Sequence, residues 1–100
     1  MGFDDHLARL LAEPVRAAIV TALAGEQLCT CHLVDITGAR QSNVSNHLRA
    51  LREAGIVSAE QAGRYTYYRL RPEVFERLAE QFGQIASRAQ TAEAVRRPCD

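Results

Sequence analysis

The sequence predicts a mainly α-helical domain of the α+β class, with one β-hairpin, and two observations predict this fold. Apolar residues recur at helical spacing along most of the 100 residues, but after residue 55 the period changes from about 3.6 toward 2. Two helical segments are also separated by a three-residue turn, the arrangement of a helix-turn-helix. The predicted order is two helices, a helix-turn-helix, a hairpin and a last helix (αα-HTH-ββ-α), which is that of a winged helix-turn-helix.

Two helices are predicted ahead of the helix-turn-helix. The leucines of residues 4–12 have helical spacing and follow a cap at Asp4 or Asp5. Pro14 suits the first turn of a second helix, because its missing N–H is not needed there, and Gly25 stops that helix.

The helix-turn-helix itself begins with a short third helix over residues 31–37, capped by Thr30 and ended by Gly38. A turn over residues 39–41 leads to Ser42, the predicted cap of the fourth helix, whose apolar residues recur at i, i+4 and i+7. The residues of the third helix that are expected to face inward are Leu33, Val34 and Ile36.

Two strands and a long helix complete the chain. The strands are predicted over residues 56–61 and 65–70, joined by a turn at residues 62–64. Pro72 opens the last helix, whose apolar stripe runs through five turns to Ala89, more than one small core covers.

The excess apolar surface predicts a homodimer, in which the last helix and the helix over residues 4–12 form the interface. The domain is expected to span residues 1–90. A polar tail, residues 91–100, carries Cys99.

Composition excludes several classes of protein. Hydrophobic residues make up 47% and charged residues 24%, an ordinary globular balance that argues against disorder. No apolar run approaches the ~18–20 residues of a membrane span, and the first ten residues are acidic, unlike a signal peptide. Three cysteines are too few for a disulfide scaffold, and their odd number fits a reducing compartment. We therefore expect a cytoplasmic protein without a membrane partner.

Charge is distributed unevenly although the net charge is zero. Residues 40–71 contain six arginines against Glu53 and Glu60, a local balance of +4. A compact positive segment of this kind is typical of a small DNA-binding module.

Polar residues lie off the apolar stripe of the fourth helix, mostly near its N-terminal end, which contacts base edges in helix-turn-helix docking. Asn pairs bidentately with adenine and Arg with guanine, while Arg64 at the hairpin tip suits phosphate or the minor groove. A solvated helix face would have the same polarity, but the turn, the positive segment and the hairpin together favour DNA. The predicted DNA contacts are Gln41, Ser42, Asn43, Ser45, Asn46, His47, Arg49, Arg64 and Tyr65. For His47 the partner is either a DNA phosphate or a neighbouring side chain.

Cys29 and Cys31 are the candidate ligands for a soft ion. Residues at i and i+2 of a helix point ~200° apart, so a packing role for both is not expected. Cys-x-Cys alone is a weak motif, and it leaves both ligand and redox use open. The start of a helix at Cys31 would favour its thiolate.

Several segments together resemble the ArsR/SmtB family of bacterial metal-responsive repressors. The resemblance fits without gaps from about Glu26 to Pro72, and the Cys29/Cys31 pair is similar to that of the arsenic-sensing branch. His32 stands where that branch commonly has Asp, and Val34 where some members carry a third Cys. The matching segments are residues 28–33, 41–48, 51–57, 63–64 and 67–70.

The resemblance implies a dimeric repressor with no constitutive cofactor that binds an inverted-repeat operator in double-stranded DNA. It implies release of the operator when As(III) or Sb(III) binds the cysteine thiolates. Because As(III) favours three thiolates, Cys99 is the expected third ligand beside Cys29 and Cys31. On a helix the two nearby thiols would diverge, so the bound state is expected to need an extended or unwound Cys29–Cys31 segment, a conformation that opposes DNA binding.

Alternatives from the residues themselves stay open. In one alternative the inducer is Cd(II), Pb(II) or Zn(II). His32 could then replace or supplement a thiolate for Zn(II) or Cd(II). A redox-sensing repressor would pair Cys29 or Cys31 with Cys99 in a disulfide. A small thiol metal carrier would have no use for the positive segment. An enzyme is not predicted, since the sequence has no Ser/His/Asp order, no phosphate-binding Gly loop and no close carboxylate pair.

Overall fold

The computed structural model describes residues 4–99, so residues 1–3 and residue 100 of the predicted domain and tail lie outside the described residues. The predicted winged helix-turn-helix is confirmed, with one additional strand ahead of the third helix. The elements are α1 (Asp5–Ala12), α2 (Pro14–Leu23), β1 (Leu28–Cys29), α3 (Thr30–Thr37), α4 (Gln41–Glu53), β2 (Val57–Ala62), β3 (Tyr65–Leu70) and α5 (Pro72–Ala92).

Local side-chain chemistry starts the first two helices as predicted. The Asp4 carboxylate caps α1 by accepting a hydrogen bond from the Leu7 N–H at 3.2 Å. Pro14 occupies the first turn of α2, and the Glu13 carboxylate caps that helix by accepting from the Val15 N–H.

The turn of the helix-turn-helix is one residue earlier than predicted. Gly38 ends α3 in the left-handed region, at φ 71°, which a residue with a Cβ adopts only with strain. Arg40, not Ser42, is the N-cap of α4, because its extended backbone already accepts a hydrogen bond from the Val44 N–H. Ser42 therefore lies in the first helical turn with its side chain exposed.

The three strands form one antiparallel sheet in the order β1-β3-β2. Strands β2 and β3 make the predicted hairpin, called the wing below, with Ala62 opposite Tyr65 across a two-residue turn. Strand β1 pairs Leu28 with Tyr68 and Cys29 with Tyr67 on the other edge of β3. This short pairing holds the start of α3 beside the wing.

The core lies between α2, α3, α4 and the sheet. Leu33 is fully buried there, but Ile36 is 55% exposed, so the prediction that Ile36 faces inward is wrong. Ile36 lies about 60° around α3 from Leu33, beyond the edge of the contact with α2 and α4. The most deeply buried side chains are Ile19, Leu33, Val44, Leu48, Leu51, Ile56 and Val57.

Helix α5 extends away from the other elements, and the whole molecule is 63 Å long. Val74 and Leu78 at its start are buried against the core, whereas Phe82 and Ile85 further along the same stripe are 50% and 39% exposed. The Asp4 N–H donates to Gln81 Oε1 at 2.9 Å, which places the start of α1 beside α5. Among the described residues no helix combines the length and apolar character that crossing a membrane requires.

Candidate thiol site and DNA-reading surface

Cys29 is both the last residue of β1 and the N-cap of α3. Its backbone is extended, with φ −89° and ψ 171°. The Cys29 sulfur accepts from the backbone N–H of His32, and His32 Nδ1 accepts from the Cys29 N–H at 3.2 Å. This reciprocal pair is a capping box, in which Cys and His replace the usual Ser or Thr and Glu or Gln. The cap therefore holds the imidazole over the thiol.

Three candidate ligand atoms converge at this cap. The sulfurs of Cys29 and Cys31 and a ring nitrogen of His32 all lie within 4.8 Å of one another, and His32 Nδ1 is 3.3 Å from the Cys29 sulfur. Donor atoms around one tetrahedral Zn(II) lie about 3.5–4 Å apart, given metal–ligand bonds of about 2.0–2.3 Å. The donor set fits an ion of this size with small shifts of the side chains.

The extended segment that was expected only in the ion-bound state is already present without an ion. Helix α3 begins at Thr30, so Cys29 is an extended residue outside the helix and only Cys31 lies within its first turn. The change of backbone direction at the cap turns both sulfurs toward the same space. The thiol pair is preformed.

The two thiols shift each other's pKa in opposite directions. Burial raises the pKa of the Cys29 thiol, but hydrogen bonds from the Cys31 S–H and from backbone N–H groups outweigh it, so this pKa lies below its usual value. The pKa of Cys31 is raised, mainly because its S–H donates to the Cys29 sulfur. The thiolate favoured at this cap is therefore that of Cys29, not that of Cys31 as predicted. An ion that binds both sulfurs must displace the Cys31 proton.

The thiol pair opens onto a pocket of about 300 Å³ that it shares with predicted DNA-contacting residues. The same pocket as Cys29 and Cys31 is lined by Gln41 from the first turn of α4, by Arg64 from the turn of the wing and by Tyr65 at the start of β3. One cavity therefore touches the thiols, the recognition helix α4 and the wing.

Cys99 does not belong to this cluster within a single chain. It is exposed in the tail that follows α5, whereas the group of potential ligands found among residues 4–99 is Cys29, Cys31 and His32. The structure thus brings the imidazole to the thiol pair, and Cys99 remains a predicted ligand.

Most of the predicted DNA contacts form one exposed surface, made of the N-terminal part of α4 and the turn of the wing. Ser45 is half-buried, and together with Arg49 and Arg52 it lines a groove against Tyr68 of β3. Arg52 was not among the predicted contacts although it lines this groove; its spacing of three from Arg49, which puts both on one side of a helix, was the available signal. The exposed members of the predicted set are Gln41, Ser42, Asn43, Asn46, Arg49, Arg64 and Tyr65.

His47 does not lie on this surface, and the structure gives it neighbouring side chains as partners rather than the predicted DNA contact. Its side chain is 15% exposed and faces α2. His47 Nε2 is 3.0 Å from a carboxylate oxygen of Glu13, and Nδ1 is 3.1 Å from the guanidinium of Arg16. Both ring nitrogens are therefore engaged inside the protein.

Known proteins share this sequence pattern and this fold. Residues 13–59 match the family described as bacterial regulatory protein, arsR family. The chain is 48% identical over 65 residues to the HTH-type transcriptional repressor SmtB of Mycobacterium tuberculosis, an alignment that covers 65% of this chain and 48% of SmtB. This chain therefore spans about half the length of SmtB. To the HTH-type transcriptional regulator CmtR of Mycobacterium bovis it is 35% identical, over 90% of this chain and 86% of CmtR.

Two solved structures have the same architecture. A possible transcriptional regulator for arsenical resistance superposes with a TM-score of 0.69 at 35% identity, covering 77% of this chain and 80% of the other. A homodimeric winged helix-turn-helix DNA-binding domain from Mycobacterium bovis superposes with a TM-score of 0.65 at 26% identity, covering 94% and 89%. The sequence match to CmtR spans nearly the whole of both chains and agrees with the fold and with the family match at residues 13–59. The protein belongs to the arsR family of bacterial regulatory proteins.

Proposed function

We propose that the protein is a transcriptional repressor that binds operator DNA as an apo dimer and releases it when a soft ion binds Cys29 and Cys31. The observation that carries this proposal is the shared pocket, which Cys29 and Cys31 line together with Gln41, Arg64 and Tyr65. An ion held by the thiols occupies the space between the recognition helix and the wing.

DNA binding is supported by the exposed polar face of α4 and by its charge. The first turn of α4 has no side-chain cap, so its backbone N–H groups are suited to phosphate oxygens. Asn46 and Arg49 are exposed further along the helix and suit base edges, and Arg64 on the wing suits the backbone or the minor groove. A thiol metal carrier would leave this surface without a use.

The proposed inducer is As(III), or Sb(III), bound by thiolates. The Cys29 and Cys31 sulfurs supply two of the three thiolates that As(III) favours, and Cys99, from the same or the partner chain, supplies the third. The similar solved structure of a possible transcriptional regulator for arsenical resistance supports As(III) as the inducer. Cd(II), Pb(II) and Zn(II) are the alternative inducers, because His32 offers nitrogen to the same two sulfurs.

Release follows from the geometry of the pocket. A bound ion and its third ligand displace the side chains that line the cavity, so Gln41, Arg64 and Tyr65 lose the positions from which they reach DNA. Ion and DNA therefore favour different arrangements of the same groups. Such a negative coupling is typically ~1–3 kcal/mol.

A redox-responsive repressor of the same fold is the second candidate. The sulfurs of Cys29 and Cys31 lie within 4.8 Å of each other, and the lowered pKa of Cys29 favours its thiolate, the form that attacks a peroxide. The sulfenic acid so formed condenses with a second cysteine thiol to a disulfide and releases water. Release of DNA by peroxide alone, reversed by a reductant, would favour this candidate over the ion. Both candidates place the protein in the reducing cytoplasm.

The first prediction concerns the dimer, which the proposal requires and the homodimeric relative supports. Ile85 lies on the exposed half of the apolar stripe of α5, so Ile85→Glu places a charge in the interface and is expected to raise the dimer dissociation constant about 100-fold or more. Gln84→Glu, the same charge one position away on an exposed face, is the control. Sedimentation equilibrium at micromolar concentration measures both, and a monomeric wild-type protein would contradict the prediction.

The second prediction concerns base readout, measured with a duplex that the wild-type protein selects from a randomised pool. Asn46→Ala and Arg49→Ala each remove one bidentate base contact, worth ~1–3 kcal/mol, and should lower the preference for the selected duplex over a scrambled one. Arg64→Ala should weaken both duplexes and flatten the salt dependence. Arg77→Ala, on exposed α5, is the matched control. If Asn46→Ala prefers the selected duplex over the scrambled one as strongly as the wild-type protein does, another face of α4 enters the major groove.

The third prediction separates capping from ion binding. Ser caps helices as Cys29 does here, and Gln completes a capping box as His32 does, so Cys29→Ser and His32→Gln keep the start of α3. Cys29→Ser and Cys31→Ser should bind the selected duplex normally but no longer release it when As(III) is added. His32→Gln should leave the As(III) response within about twofold while lowering the response to Cd(II) or Zn(II), because it removes only the nitrogen ligand.

Fluorescence anisotropy of the labelled duplex, titrated with each ion, measures these responses. Cys99→Ser should raise the As(III) concentration needed for release. Added glutathione should lower that concentration again by supplying the third thiolate. Release from Cys31→Ser at the wild-type As(III) concentration would show that the ion binds elsewhere.

A further inference from the structure

A chain of hydrogen bonds ties the recognition helix to the junction of α1 and α2. The Arg16 guanidinium carries only donors, so at 3.1 Å from His47 Nδ1 it makes that nitrogen the acceptor. The other nitrogen, Nε2, then carries the proton and donates to Glu13 Oε2 at 3.0 Å. The direction of every bond in the chain is therefore fixed.

Both ends of the chain are anchored outside α4. Arg16 Nε donates to the Leu10 carbonyl at 2.6 Å, in the last turn of α1. Glu13 uses its second oxygen, Oε1, to cap α2 at the Val15 N–H. His47 is thus bound to a network whose other members are held by backbone groups of α1 and α2.

Among the described residues, the fully buried side chains of α4 are apolar. Val44, Leu48 and Leu51 are completely or almost completely buried, and their burial has no preferred direction of contact. Hydrogen bonds lose strength when donor and acceptor turn away from each other. The imidazole of His47 therefore adds a directional restraint on the angle of α4 about its own axis.

We propose that Glu13 and Arg16, acting through His47, are positioning residues that aim the polar face of α4 at the bases. Asn46 precedes His47 directly and Arg49 follows two residues later, so a rotation at His47 moves both. This inference rests on the proposed DNA binding. It assigns base discrimination partly to side chains that never touch DNA.

The test compares His47→Ala with His47→Gln, because an amide retains one acceptor for Arg16 and one donor for Glu13. Affinities are measured for the duplex selected by the wild-type protein and for a scrambled duplex of equal length, at a temperature where circular dichroism shows each variant folded. His47→Ala should lower the preference for the selected duplex about tenfold, comparable to losing one base contact, and change scrambled binding less than about twofold. His47→Gln should recover most of that preference.

A second variant tests the carboxylate. Glu13→Gln leaves one oxygen for the two acceptor positions that Glu13 fills, so either the cap or the bond to His47 is lost. Glu13→Gln is expected to prefer the selected duplex less strongly than the wild-type protein does, but more strongly than His47→Ala does. Glu26→Gln, the same change at an exposed position between α2 and β1, should have no effect.

The outcomes separate the inference from the function on which it rests. Wild-type discrimination in His47→Ala, or an equal loss on both duplexes, overturns the positioning role while leaving DNA binding in place. Failure of the wild-type protein to enrich any duplex from the pool overturns the proposed function, and the inference with it.

Discussion

The antiparallel pairing of β1 with β3 is the constraint on which the functional surface depends. Two residues pair, Leu28 with Tyr68 and Cys29 with Tyr67, and they fix the backbone of Cys29 in an extended conformation immediately before α3. The helix therefore starts beside the wing. Both the convergence of the thiols and the pocket shared with Gln41 and Arg64 follow from that placement.

The cap of α3 and the candidate ion site share two atoms, the Cys29 sulfur and His32 Nδ1. His32 Nδ1 accepts from the Cys29 N–H, and the Cys29 sulfur accepts from the His32 N–H. An ion bound by both atoms competes with the cap, whose loss typically costs ~1 kcal/mol. This is the same order as an allosteric coupling of ~1–3 kcal/mol, so in the proposed function a loosened start of α3 is a second route by which the ion weakens DNA binding.

Features that depend on local sequence could be predicted, and those that depend on distant partners could not. Helical spacing, the cap at Asp4, the stop at Gly38 and the hairpin are all properties of short segments, and the structure confirms them. Strand β1 has only two residues, too few for an alternating pattern, so its pairing with a strand about forty residues later left no signal. Without that strand the thiols were expected to diverge.

The same limit explains why the partner of His47 could not be chosen between a DNA phosphate and a neighbouring side chain. A histidine on a polar, positively charged helix is typical of a phosphate contact, and its partners Glu13 and Arg16 lie more than thirty residues earlier in the chain. Only tertiary packing of α2 against α4 turns that side chain inward. The exposed residues around it, including Asn46 and Arg49, could be assigned to one surface from helical spacing alone.

The measurement that tests the shared pocket most directly is the reciprocal linkage between ion and DNA. Calorimetry gives the dissociation constant of As(III) for the free protein and for the protein saturated with its selected duplex, and anisotropy gives that of the duplex with and without As(III). Because linkage is reciprocal, both constants should rise by the same factor, about 5–150-fold. Equal As(III) affinity for the free and the DNA-bound protein would contradict a pocket shared by the thiols and the DNA-reading elements.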